Sequence, residues 1–229
     1  MNIIVTKIIP KPACIYCGAR EGTTRDHIPP KSLFSMPRPN LVTVPCCDVC
    51  REGQSLDDEY FVRMISMRRG IVDSASAKAA RNSALRALTK PNKGGFTRAL
   101  LDSVKEIAVY SHGGIYLGQA TSYYVDLRRL CNVIARTTRG LYFHEFKMRL
   151  PDDHRCGTYA IDDFASVGSE LDSKVREMWS HAVSGKRRDF GHRVFSYWVQ
   201  KLDGPEAATL WGFLVYEGVA FVAFTGPSS

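Results

Sequence analysis

The sequence lacks any run of about 18 apolar residues, so it predicts no membrane-spanning helix. Its start, MNIIVTKIIPKPAC, lacks a continuous signal-peptide core and a small-residue cleavage site, and we therefore expect a cytoplasmic protein. No internal repeat and no low-complexity tract is present, which argues against repeat architectures and long disordered regions.

Acidic residues are the minority among the charged ones. The 23 Asp and Glu residues stand against 31 Lys and Arg, which gives a formal net charge of +8. A basic excess favours polyanionic partners such as nucleic acid. The length of 229 residues suits one large domain, or a small module followed by a larger one.

The seven cysteines fall into a pattern. Two C-x-x-C pairs, Cys14/Cys17 and Cys47/Cys50, have the spacing that offers four thiolates to one structural zinc ion. Cys46 is an alternative to Cys47 in this set. Accidental thiols and a redox C-x-x-C motif are the other interpretations, but a redox motif would not need the second pair. In a reducing compartment, metal binding is more typical than disulfides.

The stretch TTRDHIPPKSLF lies between the two cysteine pairs and contains adjacent titratable residues, Asp26 and His27. Pro29 and Pro30 follow at once and force an extended or turning backbone. We therefore expect the Asp-His pair at a strand end or in a loop. Taken alone, such a pair is more typical of an exposed polar loop than of a catalytic site.

Together, CIYCG, RDHIPPKSL and NLVTVPCCDVC resemble the HNH family of nucleases, whose core is the ββα-metal fold. The resemblance covers roughly residues 14–61. It implies a first strand at TTRDH, a second strand at LVTV and a helix that begins near Cys50. It also suggests phage-defence or mobile-element biology.

The resemblance implies a role for each motif residue. His27 would be the general base, Asp26 would hold a catalytic divalent cation such as Mg²⁺ or Mn²⁺, and Asn40 would orient His27. These roles agree with the chemistry, because histidine accepts protons near neutral pH and hard cations prefer carboxylate oxygens. Outside this context, an Asn after a proline is more typical of a turn.

One residue departs from the family pattern. The family places a second metal ligand directly after the last cysteine, where this chain has Arg51, which donates hydrogen bonds only. Three interpretations remain open: a nearby acid (Glu52, Asp57 or Asp58) replaces the ligand, Arg51 binds the phosphate directly, or the site has lost cleavage.

The remaining pattern predicts an α+β fold with a zinc-stabilised HNH-like module over residues 1–70 and an α+β domain over 71–229. Helical spacing occurs at 55–65, 75–90, 100–108, 127–141 and 171–182, with a short strand at GGIYLGQ. HRVFSYWVQKL, TLWGFLVYE and VAFVAFTG predict three antiparallel strands, the last two joined near Glu217-Gly218.

Two basic segments have a functional and an ordinary interpretation. GKRRDFGHR, at 185–193, and the helix that carries Arg128, Arg129, Arg136 and Arg139 are each either solvated charge or phosphate contacts. The leading functional prediction is an endonuclease that acts on DNA. The alternatives are a zinc-stabilised nucleic-acid-binding protein that no longer cuts, and a subunit whose C-terminal region docks a regulatory protein.

Overall fold

The computed structural model describes residues 12–68, 71, 75–88, 94–111, 113–161, 170–204 and 208–228, and its architecture is α+β. The described residues form five helices and nine strands in three antiparallel sheets. The strands are β1 Thr24–Ile28, β2 Val42–Cys46, β3 Lys105–Tyr110, β4 Tyr116–Ser122, β5 His154–Ala160, β6 Arg188–Phe190, β7 Phe195–Lys201, β8 Thr209–Val215 and β9 Val219–Pro227. The helices are α1 Asp48–Ser66, α2 Ala75–Leu88, α3 Gly94–Asp102, α4 Leu127–Phe146 and α5 Glu170–Ala182, with a 3-10 turn at Lys31–Leu33.

The N-terminal part has the order strand, strand, helix. Strands β1 and β2 form an antiparallel hairpin. A single residue, Cys47, separates β2 from α1 and lies in extended backbone at the helix N-cap. The helix predicted near Cys50 and the helix predicted from residue 55 are one continuous element. Its C-terminal half buries Phe61, Met64 and Ile65. These apolar side chains anchor α1 in the core.

The segment after α3 corrects one prediction. Helical spacing predicts a helix through Ala108, whereas α3 ends at Asp102 and residues 105–110 form β3, paired with β4. Val104, Ile107 and Val109 are β-branched and suit an extended backbone. The strand predicted at GGIYLGQ is confirmed as the start of β4. Residues 89–93, which include part of the predicted PNKGG loop, lie outside the described residues.

Helix α4 packs against both the N-terminal hairpin and the C-terminal sheet. Its N-terminus is capped by Asp126, whose side chain accepts hydrogen bonds from the backbone N–H groups of Arg128 and Arg129, at 3.1 and 3.4 Å. Gly140, further along, packs directly on β1. A Cβ at this glycine would lie 2.5 Å from Cγ1 of Ile28, so only glycine permits this helix-to-strand distance.

The C-terminal sheet has the strand order β5-β9-β8-β7-β6. The three predicted strands are confirmed as β7, β8 and β9, and the last two are joined by a tight turn in which Tyr216 and Glu217 have positive φ. The edge strands β5 and β6 were not predicted. β6 has only three residues, within the basic segment at 185–193, and a run that short carries little periodicity.

One hydrophobic core includes residues from both sides of the predicted boundary at residue 70. The rings of Phe61 on α1 and Phe221 on β9 have centroids 5.9 Å apart. The hydroxyl of Tyr216 donates a hydrogen bond of 2.9 Å to the carbonyl of Leu33. The N-terminal module is therefore packed onto the C-terminal sheet. None of the helices in the described ranges combines the length and apolar character that a membrane span requires.

Candidate functional site

The four predicted cysteine ligands come together. The sulfur atoms of Cys14, Cys17, Cys47 and Cys50 all lie within 4.8 Å of one another, and we call this group the four-cysteine cluster. The Cys17 and Cys47 sulfurs are 3.9 Å apart. A tetrahedral zinc with Zn–S bonds of about 2.3 Å separates its sulfurs by about 3.8 Å, so the donor set fits zinc.

Backbone geometry builds each half of the four-cysteine cluster. In the first half, Gly18 has φ +65° and donates its N–H to the Cys14 carbonyl at 2.9 Å, which closes a tight turn. In the second half, Cys47 caps α1 and places Cys50 in the first turn of the helix. Cys46 lies outside the cluster, and its sulfur hydrogen-bonds the Cys47 carbonyl at 3.3 Å. The alternative ligand set with Cys46 is therefore not the one that the structure assembles.

The surroundings favour thiolates at two of the sulfurs. The backbone N–H of Ala19 lowers the pKa of Cys17 to about 6, and that of Cys50 lowers the pKa of Cys47. In turn, the Cys47 and Cys17 sulfurs raise the pKa of the Arg20 guanidinium. A zinc with four thiolates carries a net charge of about −2, which a neighbouring guanidinium partly offsets.

The register of the β1–β2 hairpin separates the two motif residues. Asp26 pairs with Val44, whereas His27 pairs with Thr43, and side chains alternate between the faces of a strand. Asp26 lies on the face that packs against α4. His27 lies on the opposite face, together with Arg25.

His27 is half-buried, and its side chain has neither a hydrogen bond nor an ion pair to any described residue. Asn40 is exposed and likewise forms no hydrogen bond to His27 within the described ranges. The orienting role implied for Asn40 therefore stays a prediction. A histidine without a partner keeps a ring nitrogen available to accept a proton, which is what a general base requires.

Asp26 has partners that the sequence did not indicate. Its Oδ2 accepts a hydrogen bond from the Tyr16 hydroxyl at 2.6 Å and lies 3.6 Å from Nε of Arg136 on α4. Arg136 also donates Nη2 to Oδ1 of Asp58 on α1. We call these four residues the Tyr16–Asp26–Arg136–Asp58 network.

The network is buried, and burial shifts the pKa values of its members. The Arg136 side chain is 6% exposed and that of Asp26 is 15% exposed. Burial disfavours the charged guanidinium, but the charges of Asp58 and Asp26 raise the pKa of Arg136 above its usual value. Burial also raises the pKa of Asp58 to about 6, although Arg136 opposes that shift. Burial and Asp26 raise the pKa of Tyr16, which therefore remains a donor.

Arg51 does not contact Asp26. Its guanidinium lies 3.2 Å from Oδ1 of Asp48, one helical turn earlier, and both side chains are about half exposed. Of the three acids considered as replacement ligands, Glu52 is exposed, and the other two are paired with arginines of α4. Asp58 pairs with Arg136, and Asp57 accepts a hydrogen bond of 2.7 Å from Arg129.

A catalytic divalent cation at Asp26 does not fit this arrangement. The Tyr16 hydroxyl and the Arg136 guanidinium both lie at the same oxygen of Asp26. Within the described ranges, the four-cysteine cluster is the only group of three or more Cys, His, Asp or Glu ligands close enough to hold a metal ion. Mg²⁺ needs several oxygen ligands in octahedral geometry, and a lone carboxylate beside a guanidinium does not supply them.

Sequence reasoning missed Tyr16 and the role of Arg136. One signal was present, because Arg129 and Arg136 are seven residues apart and so share a face of α4, opposite the acidic pair Asp57-Asp58. Comparison with known proteins found no matching family model, no matching curated protein and no matching solved structure. The resemblance to HNH nucleases therefore depends on the motif residues alone.

Proposed function

We propose that this chain is an HNH-like endonuclease that hydrolyses DNA phosphodiester bonds, with His27 as the general base and a structural zinc in the four-cysteine cluster. The observation that supports this most is the position of His27. Its side chain is half-buried on the face of the hairpin opposite Asp26 and has no hydrogen-bond or ion-pair partner among the described residues. The residue lies in a strand–strand–helix unit joined by four clustered cysteines.

The hairpin and the segment that connects its strands carry exposed positive charge. Arg25 is exposed two residues before His27, and its only described contact is a long hydrogen bond of 3.4 Å to Thr43. Lys31 and Arg38, in the segment between the two strands, are also exposed. Lys and Arg side chains placed this way bind the phosphate backbone and release counterions.

Two residues of the hairpin face carry the proposed chemistry. Arg25 would bind a non-bridging phosphate oxygen and offset the charge that develops in the transition state. His27 would accept the proton from the attacking water while the new P–O bond forms. The P–O bond to the leaving sugar oxygen would break, and that oxygen would take a proton from solvent. A cytoplasmic role in phage defence or mobile-element biology belongs to the same proposal.

The test is a plasmid-cleavage assay with zinc-loaded, full-length protein. His27→Ala should reduce the cleavage rate about 10²–10⁴-fold, which is the usual contribution of a general base. Its zinc content and circular dichroism spectrum should not change. His181→Ala is the matched control, because His181 is an exposed histidine on α5. Equal cleavage by the parent and His27→Ala would show that another residue is the base.

A non-cutting, nucleic-acid-binding protein is the second candidate. The Tyr16–Asp26–Arg136–Asp58 network favours it, because the motif carboxylate implied to bind the catalytic cation is engaged in a buried ion pair. The same preparation separates the two candidates. Salt-sensitive DNA binding without cleavage, unchanged by His27→Ala, would support this second function.

A further inference from the structure

The carboxylate of Asp26 lies beside a positive charge that the chain itself supplies, the guanidinium of Arg136. Arg136 reaches from α4, with Nε 3.6 Å from Asp26 and Nη2 bonded to Asp58. One guanidinium therefore lies between two carboxylates, one from β1 and one from α1. A divalent cation shared by two carboxylates would have the same neighbours.

Arg136 is fixed in this position. It has no room to turn into solvent, because its side chain is only 6% exposed. The Tyr16 hydroxyl occupies the same oxygen of Asp26 at 2.6 Å. That leaves Oδ1 of Asp26 as the one oxygen of this carboxylate without a partner among the described residues.

A second pair on the same two helices repeats the arrangement. Arg129, two turns before Arg136 on α4, donates Nε to Asp57 at 2.7 Å and Nη2 to the Leu56 carbonyl at 2.8 Å. Its guanidinium also lies over the Tyr60 ring, 4.1 Å from the centroid. Arginines of α4 thus bind both members of the acidic pair on α1. The Arg136–Asp58 pair therefore also holds α4 against α1.

We infer that Arg136 is the resident cation of Asp26 and Asp58, and that it excludes divalent metal ions from this site. The guanidinium supplies positive charge to both buried carboxylates and a hydrogen bond to Asp58. A divalent ion at Oδ1 would be within a few ångströms of that charge and would be repelled by it.

The first test measures Mn²⁺ binding to zinc-loaded, full-length protein by electron paramagnetic resonance, where bound Mn²⁺ loses the six-line signal of the free ion. The parent and Asp26→Asn should give superimposable titrations. Asn at this position is nearly isosteric and still accepts the Tyr16 hydrogen bond. A Mn²⁺ site that is present in the parent and lost in Asp26→Asn would overturn the inference.

The second test removes the resident cation. Arg136→Gln leaves two carboxylates without their cation, and it should bind Mn²⁺ at least about tenfold more tightly than the parent, because affinity rises with ligand charge. Arg139→Gln is the control, because Arg139 is half-buried on the same helix and has no hydrogen bond or ion pair to a described residue. A folded Arg136→Gln chain that binds no more Mn²⁺ than Arg139→Gln would contradict exclusion by Arg136.

Arg136→Gln exposes two buried charges to each other and is the variant most at risk of not folding. If it does not fold, the comparison of the parent with Asp26→Asn decides the inference. The inference rests on the proposed function in one respect only, which is the identification of Asp26 as the motif carboxylate. Both tests measure metal binding without DNA, so absence of cleavage would count against the proposed function and leave this result standing.

Discussion

The guanidinium of Arg149 lies against Gly18, the residue that closes the turn of the first cysteine pair. A Cβ at Gly18 would be 2.6 Å from Cζ of Arg149. Arg149 is held there by two hydrogen bonds to Asp152, at 2.5 and 2.6 Å. Gly18 thus combines a left-handed backbone with a close side-chain contact.

Gly18→Ala should lower the free energy of unfolding by about 1–3 kcal/mol, because a non-glycine residue in this backbone region is strained. Arg149 is flexible at its far end, so the backbone contributes most of this effect. The measurement is urea unfolding of zinc-loaded protein. Gly53→Ala is the control: a Cβ there meets nothing within 4 Å, and Ala is favoured inside helix α1. A Gly18→Ala variant as stable as Gly53→Ala would contradict the strained turn.

Cys14→Ser should remove zinc from the purified protein and unfold the N-terminal part, because metal binding supplies much of the folding free energy of such sites. Metal analysis of the parent should give one zinc per chain. Cys131→Ser tests whether the effect is specific, because Cys131 is a half-buried thiol outside the four-cysteine cluster. A parent without zinc, or a Cys14→Ser variant that retains it, would rule out the cluster as a zinc site.

Gly140→Ala should destabilise the protein by about 1–3 kcal/mol, because the added methyl group has no room beside Ile28, which is fully buried. Ile28→Ala alone should cost about 2–5 kcal/mol through the cavity that it leaves. The double variant should cost less than the sum, since Ile28→Ala removes the atoms that clash with the new methyl group. Additive costs in chemical denaturation would mean that α4 and β1 are not in contact at this point.

Arg25→Gln should weaken DNA binding uniformly across sequences and reduce the slope of log affinity against log salt concentration by about one. Arg51→Asn should alter that slope less, because Arg51 is already paired with Asp48. Fluorescence anisotropy at several salt concentrations measures both variants. If Arg51→Asn has the larger effect, the phosphates contact the start of α1 in preference to the hairpin face.

The metal cluster was predictable from the sequence because its signal is local. Each cysteine pair spans four residues, and the tetrahedral geometry of one ion determines how two such pairs meet. The helices and the C-terminal strands were predictable for the same reason, because their hydrophobic patterns are local. β3 was mistaken for a helix because Leu100 and Leu101 belong to α3, and their apolar spacing continues into the next element without a Gly or Pro between them.

The partners of Asp26 were not predictable in the same way. Tyr16 and Arg136 are 10 and 110 residues away along the chain, and only the packing of α4 brings Arg136 to the hairpin. The motif placed Asp26 and His27 side by side, while their environments depend on which face of β1 is covered. Arg51 stands where the family pattern has a metal ligand, but its side chain pairs with Asp48 on the same helix.

The shared core has a consequence for how such a unit can move between proteins in evolution. A small zinc-binding module that folds independently around its metal can be inserted into an unrelated chain. Here Phe61 packs on Phe221, and the carbonyl of Leu33 accepts its hydrogen bond from Tyr216. A segment excised at residue 70 would expose these groups to water. A transplanted unit would therefore need α4 and the C-terminal sheet as well as the cysteines to keep this core covered.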